Sequence, residues 1–497
     1  MLFTVAFFFN ATANFAFGLA LSALLGPAEF GRYSTVQLAS ITLAVGTLDW
    51  LRYSTLRYSG DQSAKATIAS SLETGYFALT IATYLGVGLL VVFGVTFNLG
   101  AIMLLLTPLL GAAAHRVDYT GAKFRVREQG VRFAAIYGLR QALCFSVVLL
   151  VAWRTRDAVS VVAALAIANL IPAIAFGDWS GAEGARLRKV SIARLAQFFV
   201  YAKPIVISLV IYQLISLINR YVALSTLGPA AAGKLSLAAD LGQRLFGAIN
   251  SLPELMLFQY ALQIDRAEGR AAADRQLGVN MALVFALMTP IAVGYAVMAP
   301  TFEALLVPTA FRGDFARLSF EYAPGFFALF VTTSAVNPIF QLRNRTWLVT
   351  LAALSALTTD LVLLKFTRLG GSLDGLAIAY SASLVVSLLV TLAVGLHISS
   401  VRPRLRDFVV IAAATAVMAA LVRPLNELPS HAVAAALAVA IGFVVLGGVG
   451  LLFDVGGVRL LARGAWSLPR GARRGSAISG CGGGLAEGRI GSAAGRY

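Results

Sequence analysis

Long apolar runs recur along the whole chain and are separated by short polar segments. A helix of about 20 apolar residues crosses the roughly 30 Å hydrocarbon core of a membrane. The pattern therefore predicts an all-helical polytopic membrane protein with about 14 transmembrane helices. Their predicted bounds are 2–25, 34–51, 74–97, 99–117, 132–152, 159–177, 198–226, 231–257, 277–298, 318–340, 346–367, 373–398, 406–423 and 431–453.

One ten-residue segment occurs twice in the chain. Residues 25–34 read LGPAEFGRYS and residues 227–236 read LGPAAAGKLS, with six identical positions at an interval of 202 residues. Gly-Pro ends a helix and starts a turn, so both copies are predicted to join two spans. Six spans separate the copies, which indicates a parallel repeat of the kind found in transporters with a substrate site between the halves. A chance recurrence of a common turn is the alternative.

The repeat predicts two lobes of six helices each. The predicted divisions are an N-lobe at 1–178, a basic cytoplasmic linker at 179–197, a C-lobe at 198–398, two extra spans at 399–453 and a tail at 454–497. The tail is rich in glycine and arginine and lacks apolar periodicity, so it is predicted to be disordered.

The composition excludes several classes of protein. Hydrophobic residues make up 59% and charged residues 13% of the 497 residues, and the mean hydropathy is +0.80. Soluble domains are roughly 45–50% apolar and about 25% charged, so a soluble enzyme, a disordered chain and a disulfide scaffold are excluded. Two cysteines and three histidines are too few for a disulfide framework or a metal cluster. No P-loop or nucleophile–base pair is recognised, so neither an enzyme nor a cofactor is predicted.

The net charge of +17 is explained by where lysine and arginine lie. With the N-terminus inside the cell, the inner segments without the tail hold 20 of these residues, and the outer loops hold nine. Basic residues prefer the cytoplasmic side, so both termini are predicted to be cytoplasmic. No basic patch is interleaved with aromatic residues on a soluble domain, so no nucleic-acid partner is expected.

Three segments resemble one family of transporters. They are LSALLGPAEFGRYS after span one, LINRYVALSTLGPAAAGKLSLA at the second repeat copy and GGSLDGLAIAYSASLVVSLL at span twelve. They are similar to the Wzx-type polysaccharide or O-antigen flippases of the multidrug/oligosaccharidyl-lipid/polysaccharide exporter superfamily, and the similarity covers roughly residues 1–453. Many members have Asp-Arg where this chain has Asn219-Arg220, so the resemblance leaves Arg220 without its neighbouring carboxylate.

The resemblance implies two helical bundles around a central cavity and a function as a flippase. Such a protein moves a polyprenyl-pyrophosphate oligosaccharide across the inner membrane by alternating access, for the synthesis of lipopolysaccharide or exopolysaccharide. The implied partners are the lipid-linked glycan, membrane lipid, H⁺ or Na⁺ as coupling ion, and polysaccharide assembly proteins. A monomer is expected.

Span eight carries a polar stripe. Asp240, Gln243, Arg244 and Asn250 are spaced at i, i+3, i+4 and i+10, so they lie on one helical face. A charge that faces lipid at the bilayer centre costs roughly 2.5–3.5 kcal/mol on insertion scales. The stripe is therefore predicted to line a cavity. An ion pair between Asp240 and Arg244 within the helix is the alternative.

Further polar residues in the spans are candidates for the same cavity. They are Asn10 and Asn14 in span one, Arg140 in span five, and Gln213 and Arg220 in span seven. Each has a structural alternative, because an arginine near a span end can extend to the surface and an asparagine often binds a neighbouring helix. Guanidinium binds phosphate through two donors, so Arg244 and Arg220 are predicted to hold the pyrophosphate. Asparagine and glutamine side chains would contact sugar hydroxyls.

Two acidic residues are candidates for ion coupling. Asp360, at mid-depth in span eleven, and Asp240 are predicted to interact with a coupling ion or proton, and a helix–helix hydrogen bond of Asp360 is the alternative. Asp49 and Arg52, at the inner end of span two, are interpreted as residues of the membrane interface.

Two other functions compete with the flippase hypothesis. A multidrug or cation antiporter of the same superfamily needs an acidic cavity, yet span one contains no Asp or Glu. A membrane glycan polymerase or ligase is expected to have substantial outer loops, whereas the longest predicted outer loop is at 299–317. A purely structural membrane protein would not need a polar stripe within a span.

Overall fold

The computed structural model describes residues 2–58, 65–177 and 190–457, and the regular structure in these ranges is entirely helical. Most of the predicted linker at 179–197 and almost all of the predicted tail at 454–497 lie outside the described residues. The helix α7 already begins at Ile192, within the predicted linker.

The helices fall into a first half, a second half and a C-terminal pair. The first half contains α1 (Leu2–Tyr58), α2 (Lys65–Val92), α3 (Ala101–Val126), α4 (Gly130–Leu143), α5 (Leu149–Thr155) and α6 (Ala158–Ala175). The second half contains α7 (Ile192–Val222), α8 (Pro229–Glu268), α9 (Arg270–Val297), α10 (Ala299–Leu306), α11 (Phe315–Val331), α12 (Asn337–Leu342), α13 (Trp347–Phe366) and α14 (Leu373–Ile398). The pair is α15 (Leu405–Val422) and α16 (His431–Phe453). Single π-turns join α4 to α5 and α11 to α12.

Twelve helices in the described ranges are long and apolar enough to cross a membrane. One of them, Phe9–Tyr58, has 50 residues and bends at Gly26, so it supplies two crossings. The 40-residue α8 is also long enough to cross, but its polar stripe makes it less apolar. Together these segments provide the 14 predicted crossings. The prediction of an all-helical, multi-pass membrane protein is confirmed.

In each copy of the repeated segment, the chain changes direction at a single glycine. Gly26 has φ 69° and ψ 174°, and Gly228 has nearly the same conformation with φ 91° and ψ 170°. Positive φ suits glycine, and the following proline starts the next helix because it needs no donor there. The second span therefore starts directly after Gly26. The predicted start at residue 34 is wrong, since residues 27–33 are helical.

The two corners bring the repeat copies into direct contact. A Cβ added to Gly31 would overlap the carbonyl oxygen of Pro229 and lie 2.7 Å from the nitrogen of Gly233. A Cβ added to Gly233 would overlap the carbonyl oxygen of Pro27 and lie 3.1 Å from the nitrogen of Gly31. The contact is thus reciprocal, and the glycine at the same position of each copy allows two helix backbones to touch.

Neighbouring chain segments cover this crossing. Phe30 packs edge-to-face on Phe311 at a centroid distance of 5.7 Å, and Lys234 pairs with Asp314 at 2.7 Å. Gly26 divides α1 into a first arm before it and a second arm at 27–58. At the opposite end of the second arm, the ring of Tyr58 packs on the ring of Phe198 in α7 at a centroid distance of 4.8 Å. The first and second halves therefore meet at both ends of this arm.

The helices pack within each half and, through α1, between the halves. Within the first half, α1 packs on α3 and α4, and α3 packs on α6; within the second half, α11 packs on α14 and α9, and α13 packs on α7 and α14. The halves join mainly through contacts of α1 with α8 and α7. The last two helices pack on each other, and α15 packs on α9. Most large apolar side chains of α16 are exposed, as expected for a surface that faces lipid.

Candidate functional site

A cavity of about 160 Å³ lies in the first half between α1, α3, α4 and α6. Its polar lining residues are Asn14, Gln37, Ser40, Asp49, Arg52, His115, Asp118, Arg140, Asn169 and Arg244. Among these described residues, Arg244 alone comes from the second half. Both parts of the chain therefore contribute to one polar cavity.

A second cavity, of about 260 Å³, adjoins the first because Arg52 and Asp118 line both. It adds Asn10, Arg125 and Tyr137 to the lining. The charged lining residues of the two cavities are the arginines Arg52, Arg125, Arg140 and Arg244 and the aspartates Asp49 and Asp118. Because arginine outnumbers aspartate, the lining attracts anions.

The Arg244 guanidinium extends from α8 to the first arm of α1. It donates a hydrogen bond to the carbonyl oxygen of Asn14. Gly18, one turn further along α1, provides the space, since a Cβ there would lie 3.0 Å from Nη1 of Arg244. A guanidinium has five N–H donors, and this carbonyl is its only hydrogen-bond acceptor among the described residues. The remaining donors are free to bind a ligand in the cavity.

Asp49 and Arg52 form an ion pair on the cavity wall. Nε of Arg52 lies 2.6 Å from Oδ1 of Asp49, and Nη2 donates a 2.9 Å hydrogen bond to Oδ2. Oδ1 also lies 3.5 Å from Nε2 of His115, whose ring stacks on Tyr76 at a centroid distance of 5.9 Å. The interpretation of Asp49 and Arg52 as interface residues is wrong, because both line the cavity.

Arg140 has weaker compensation for its charge. Its Nη1 lies 3.9 Å from Asp118, which also accepts a 3.0 Å hydrogen bond from the Tyr137 hydroxyl. Its Nε has no hydrogen-bond partner in the part of the chain that the structure describes. Nearby, Asn10 accepts a 2.6 Å hydrogen bond from Gln141 and so links α1 to α4. Of the arginines that line the first cavity, Arg140 and Arg244 are therefore the two best placed for an anion.

Arg220 lies elsewhere, buried within the second half. It forms an ion pair with Asp240 of α8 and donates a 3.4 Å hydrogen bond to the carbonyl oxygen of Ser34. Asp240 thus pairs with Arg220 rather than with Arg244, and the pair within α8 is not formed. The expectation that Arg220 lacks a carboxylate is also wrong, because Asp240 supplies one from the neighbouring helix.

The other predicted polar residues also lie outside the two cavities. Asp360 is fully buried, and both carboxylate oxygens accept from the Asn219 amide at 3.0 Å. Asn250 accepts a 2.8 Å hydrogen bond from Ser334. Gln213 and Gln243 are half-buried and line neither cavity. Asp360 and Asn250 therefore act as links between helices.

The comparisons with known proteins address the fold. No protein-family model and no curated protein sequence matches the chain. A solved structure of the lipid II flippase MurJ in an inward closed conformation aligns with 91% of this chain and 98% of its own, with a TM-score of 0.70 and 12% identity. An inward-facing multidrug resistance MATE family transporter of the MOP superfamily aligns with 78% of this chain and 94% of its own, with a TM-score of 0.62 and 13% identity. The chain has the fold of these transporters.

This similarity supports the predicted all-helical, multi-pass fold, while the arrangement of two bundles around a central cavity and membership of the polysaccharide flippases stay predictions. The two cavities are also lined by polar residues of α3 that hydropathy alone does not identify as candidates. His115, Asp118 and Arg125 are spaced at i, i+3 and i+10 on α3, the same kind of stripe as on α8. The predicted span ends at residue 117, which places Asp118 and Arg125 in a loop. A search for helical periodicity beyond the apolar run would have found them.

The Arg220–Asp240 pair gives a testable prediction on stability. Replacing either residue alone, by Arg220→Gln or Asp240→Asn, should lower the free energy of unfolding by about 3 kcal/mol, because a buried charge is left without its partner. Thermal unfolding of the purified protein in detergent measures this effect. The double variant Arg220→Met, Asp240→Leu should be more stable than either single variant. Single variants as stable as the wild type would show that the pair carries no such energy.

Proposed function

We propose that the protein is a flippase that moves a polyprenyl-pyrophosphate oligosaccharide across the cytoplasmic membrane. The observation that carries this proposal is the arginine-lined pair of cavities within a fold shared with a lipid II flippase. A pyrophosphate group joins the sugar to the lipid in such a substrate, and guanidinium groups bind its oxygens through paired donors. Surface polysaccharide, such as O-antigen or exopolysaccharide, would be the final product.

The positions of the arginines support a specific arrangement of the substrate. Arg244 and Arg140 would bind the pyrophosphate, because each has unused donors at the first cavity. Asn14 lines the same cavity and Asn10 lines the adjoining one, and both would contact sugar hydroxyls. Arg220 has a different role in this proposal: its ion pair with Asp240 holds α7 against α8, so it supports the helix that carries Arg244.

Contacts at both ends of the second arm of α1 support alternating access. One end is held by the Gly31–Gly233 crossing, and the other by Tyr58 against Phe198. In the proposed cycle the two halves, which correspond to the predicted lobes, separate at one end while they stay in contact at the other. The cavity would then open to each side of the membrane in turn, with the lipid chain of the substrate remaining in the bilayer.

Transport is proposed to be coupled to an ion at Asp360, and both termini of the chain are proposed to be cytoplasmic. Among the described residues, the buried Asp360 carboxylate accepts only from the Asn219 amide, so it would gain from a proton or Na⁺. We propose Asp360 as a coupling site and assign no such role to Asp240, which Arg220 already neutralises. The distribution of basic residues supports cytoplasmic termini in an inner membrane. A monomer that works with polysaccharide assembly proteins fits this function.

A multidrug or cation antiporter is the main alternative, since a MATE family transporter shares the fold. Recognition of a cationic drug needs uncompensated carboxylates. Asp49 is paired with Arg52, and Asp118 lies close to Arg140. The charge of the cavity therefore favours an anionic substrate.

Deletion of the gene provides the direct test. Surface polysaccharide should be lost and its lipid-linked unit should accumulate in the inner leaflet, because synthesis continues while transfer stops. Extraction and mass analysis of polyprenyl-linked oligosaccharides would measure the accumulation and identify the glycan. A plasmid copy of the gene should restore the surface polysaccharide and remove the accumulated lipid-linked unit. Unchanged surface glycan together with a new sensitivity to cationic drugs would support the antiporter instead.

A further inference from the structure

A third cavity, of about 440 Å³, shares no lining residue with the arginine-lined pair and takes no part in the proposed transport. It is lined by residues from the start of α9, the connection between α14 and α15, the start of α15, and the turn after α16. Its charged lining residues are Arg275, Arg402, Arg404, Asp407 and Asp454. All of these helix ends are on the side that the basic residues predict to be cytoplasmic.

The walls of this cavity are fixed by packing. The nitrogen of Ser400 donates a 3.1 Å hydrogen bond to Asp274 of α9, which also pairs with Arg343 at 2.6 Å. A Cβ on Gly278 would lie 3.3 Å from the carbonyl oxygen of Arg402, so the connection between α14 and α15 lies directly on α9. Asp407 accepts a 3.3 Å hydrogen bond from the nitrogen of Gly456 and closes the far wall.

The arginines that line this cavity differ in whether their side chains form hydrogen bonds. Arg402 donates to the carbonyl oxygens of Leu396, Ser399 and Val401, at 3.5, 3.4 and 2.9 Å, which holds it at the rim. The side chains of Arg275 and Arg404 form no hydrogen bond or ion pair with any residue in the described ranges, and both residues are exposed. Arg402 and Arg404 lie on the connection between α14 and α15, and Arg275 lies on α9, so their guanidinium groups line one space from two elements. This arrangement suits a phosphate group.

Exposed apolar residues lie next to lining residues of this cavity in the chain. Leu405 follows Arg404 and is 77% exposed, and Leu452 and Phe453 precede Asp454 and are 70% and 45% exposed. In a membrane these side chains would contact acyl chains. We infer that this cavity binds the phosphate head group of an anionic phospholipid from the leaflet on that side, with the acyl chains lying along α15 and α16. The inference does not depend on the proposed transport function.

The test measures lipid binding to the purified full chain by native mass spectrometry. The probes are phosphatidylglycerol, phosphatidylethanolamine with the same acyl chains, and glycerol 3-phosphate. The wild type should bind phosphatidylglycerol more tightly than phosphatidylethanolamine. The variant Arg275→Gln, Arg404→Gln should bind it roughly 10- to 150-fold more weakly, because it loses charge-assisted hydrogen bonds to the phosphate. Its preference for the anionic lipid should fall accordingly.

A matched control separates this site from a general effect of charge. Arg266→Gln, Arg345→Gln removes the same charge from exposed positions that do not line the cavity, and it should bind phosphatidylglycerol like the wild type. Equal loss in both double variants would overturn the inference, as would equal binding of the two lipids by the wild type. Glycerol 3-phosphate binding as tightly as the lipid would overturn the assignment to a phospholipid. An unchanged unfolding temperature would show that the Arg275→Gln, Arg404→Gln variant is folded.

Discussion

Replacing Arg244 with alanine should lower transport of the lipid-linked glycan by roughly 10- to 100-fold while the protein accumulates normally, because the loss of charge-assisted hydrogen bonds costs about 1.5–3 kcal/mol. Arg244 is the second-half residue that lines the first cavity, and it has donors beyond the one that binds the carbonyl oxygen of Asn14. Arg244→Lys should retain part of the activity, since lysine keeps the charge but lacks the planar pair of donors. Surface glycan and accumulated lipid-linked unit, normalised to variant protein in membranes, measure the effect.

Gly18 offers a way to move Arg244 without changing any charge. The side chain of Gly18→Leu would occupy the place of the guanidinium, so this variant should reproduce the defect of Arg244→Ala. The two changes combined should cost little more than either alone, because both remove the same interaction. Gly86→Leu is the matched control, since a Cβ at Gly86 meets nothing within 4 Å. Normal transport by Arg244→Ala at wild-type protein levels would refute the role of Arg244.

Helical periodicity predicts a polar face on α8, and of the four residues on that face only Arg244 lines one of the two cavities. The i, i+4 relation placed Arg244 on a polar face that could not face lipid, and the structure places Arg244 in a cavity together with Asn14. The partner of Asp240 could not be predicted in this way. Its pairing with Arg220 depends on how α7 and α8 are rotated about their axes, and sequence spacing specifies only pairs within one helix.

The helix ends show the second limit of prediction from hydropathy. The apolar run of α3 stops near residue 117, but the helix continues to Val126. Its charged extension is stable because Arg116 and Lys123 both pair with Glu73 of α2, while Asp118 and Arg125 line the cavities. Charges that are paired, or that face water in a cavity, are compatible with a helix in the membrane. Hydropathy counts such charges as the end of a span, so the cavity lining on α3 was missed.

Gly31→Ala and Gly233→Ala should each separate the two helices that cross at the repeated segment. The added methyl group would overlap a backbone carbonyl oxygen of the opposite copy, and neither backbone can move away without opening the crossing. Overpacking of this kind costs about 1–3 kcal/mol, which shifts an equilibrium between two conformations roughly 5- to 150-fold. Alanine otherwise favours a helix by about 1 kcal/mol over glycine, so any destabilisation comes from the contact itself.

Spin labels at Arg32 and Ala230, with Cys144 and Cys481 replaced by serine, would report the separation through dipolar broadening of the continuous-wave electron paramagnetic resonance spectrum, which is sensitive to such short distances. Both alanine variants should increase the population of long distances and reduce transport, because the end of the cavity held by this crossing no longer closes fully. The double variant should resemble the single ones, since the two glycines belong to one contact. Gly88→Ala, where a Cβ meets nothing within 4 Å, should leave distances and transport unchanged. If Gly31→Ala behaved like Gly88→Ala, the crossing would have no part in closing the cavity, and the repeated glycine would serve only to join two spans.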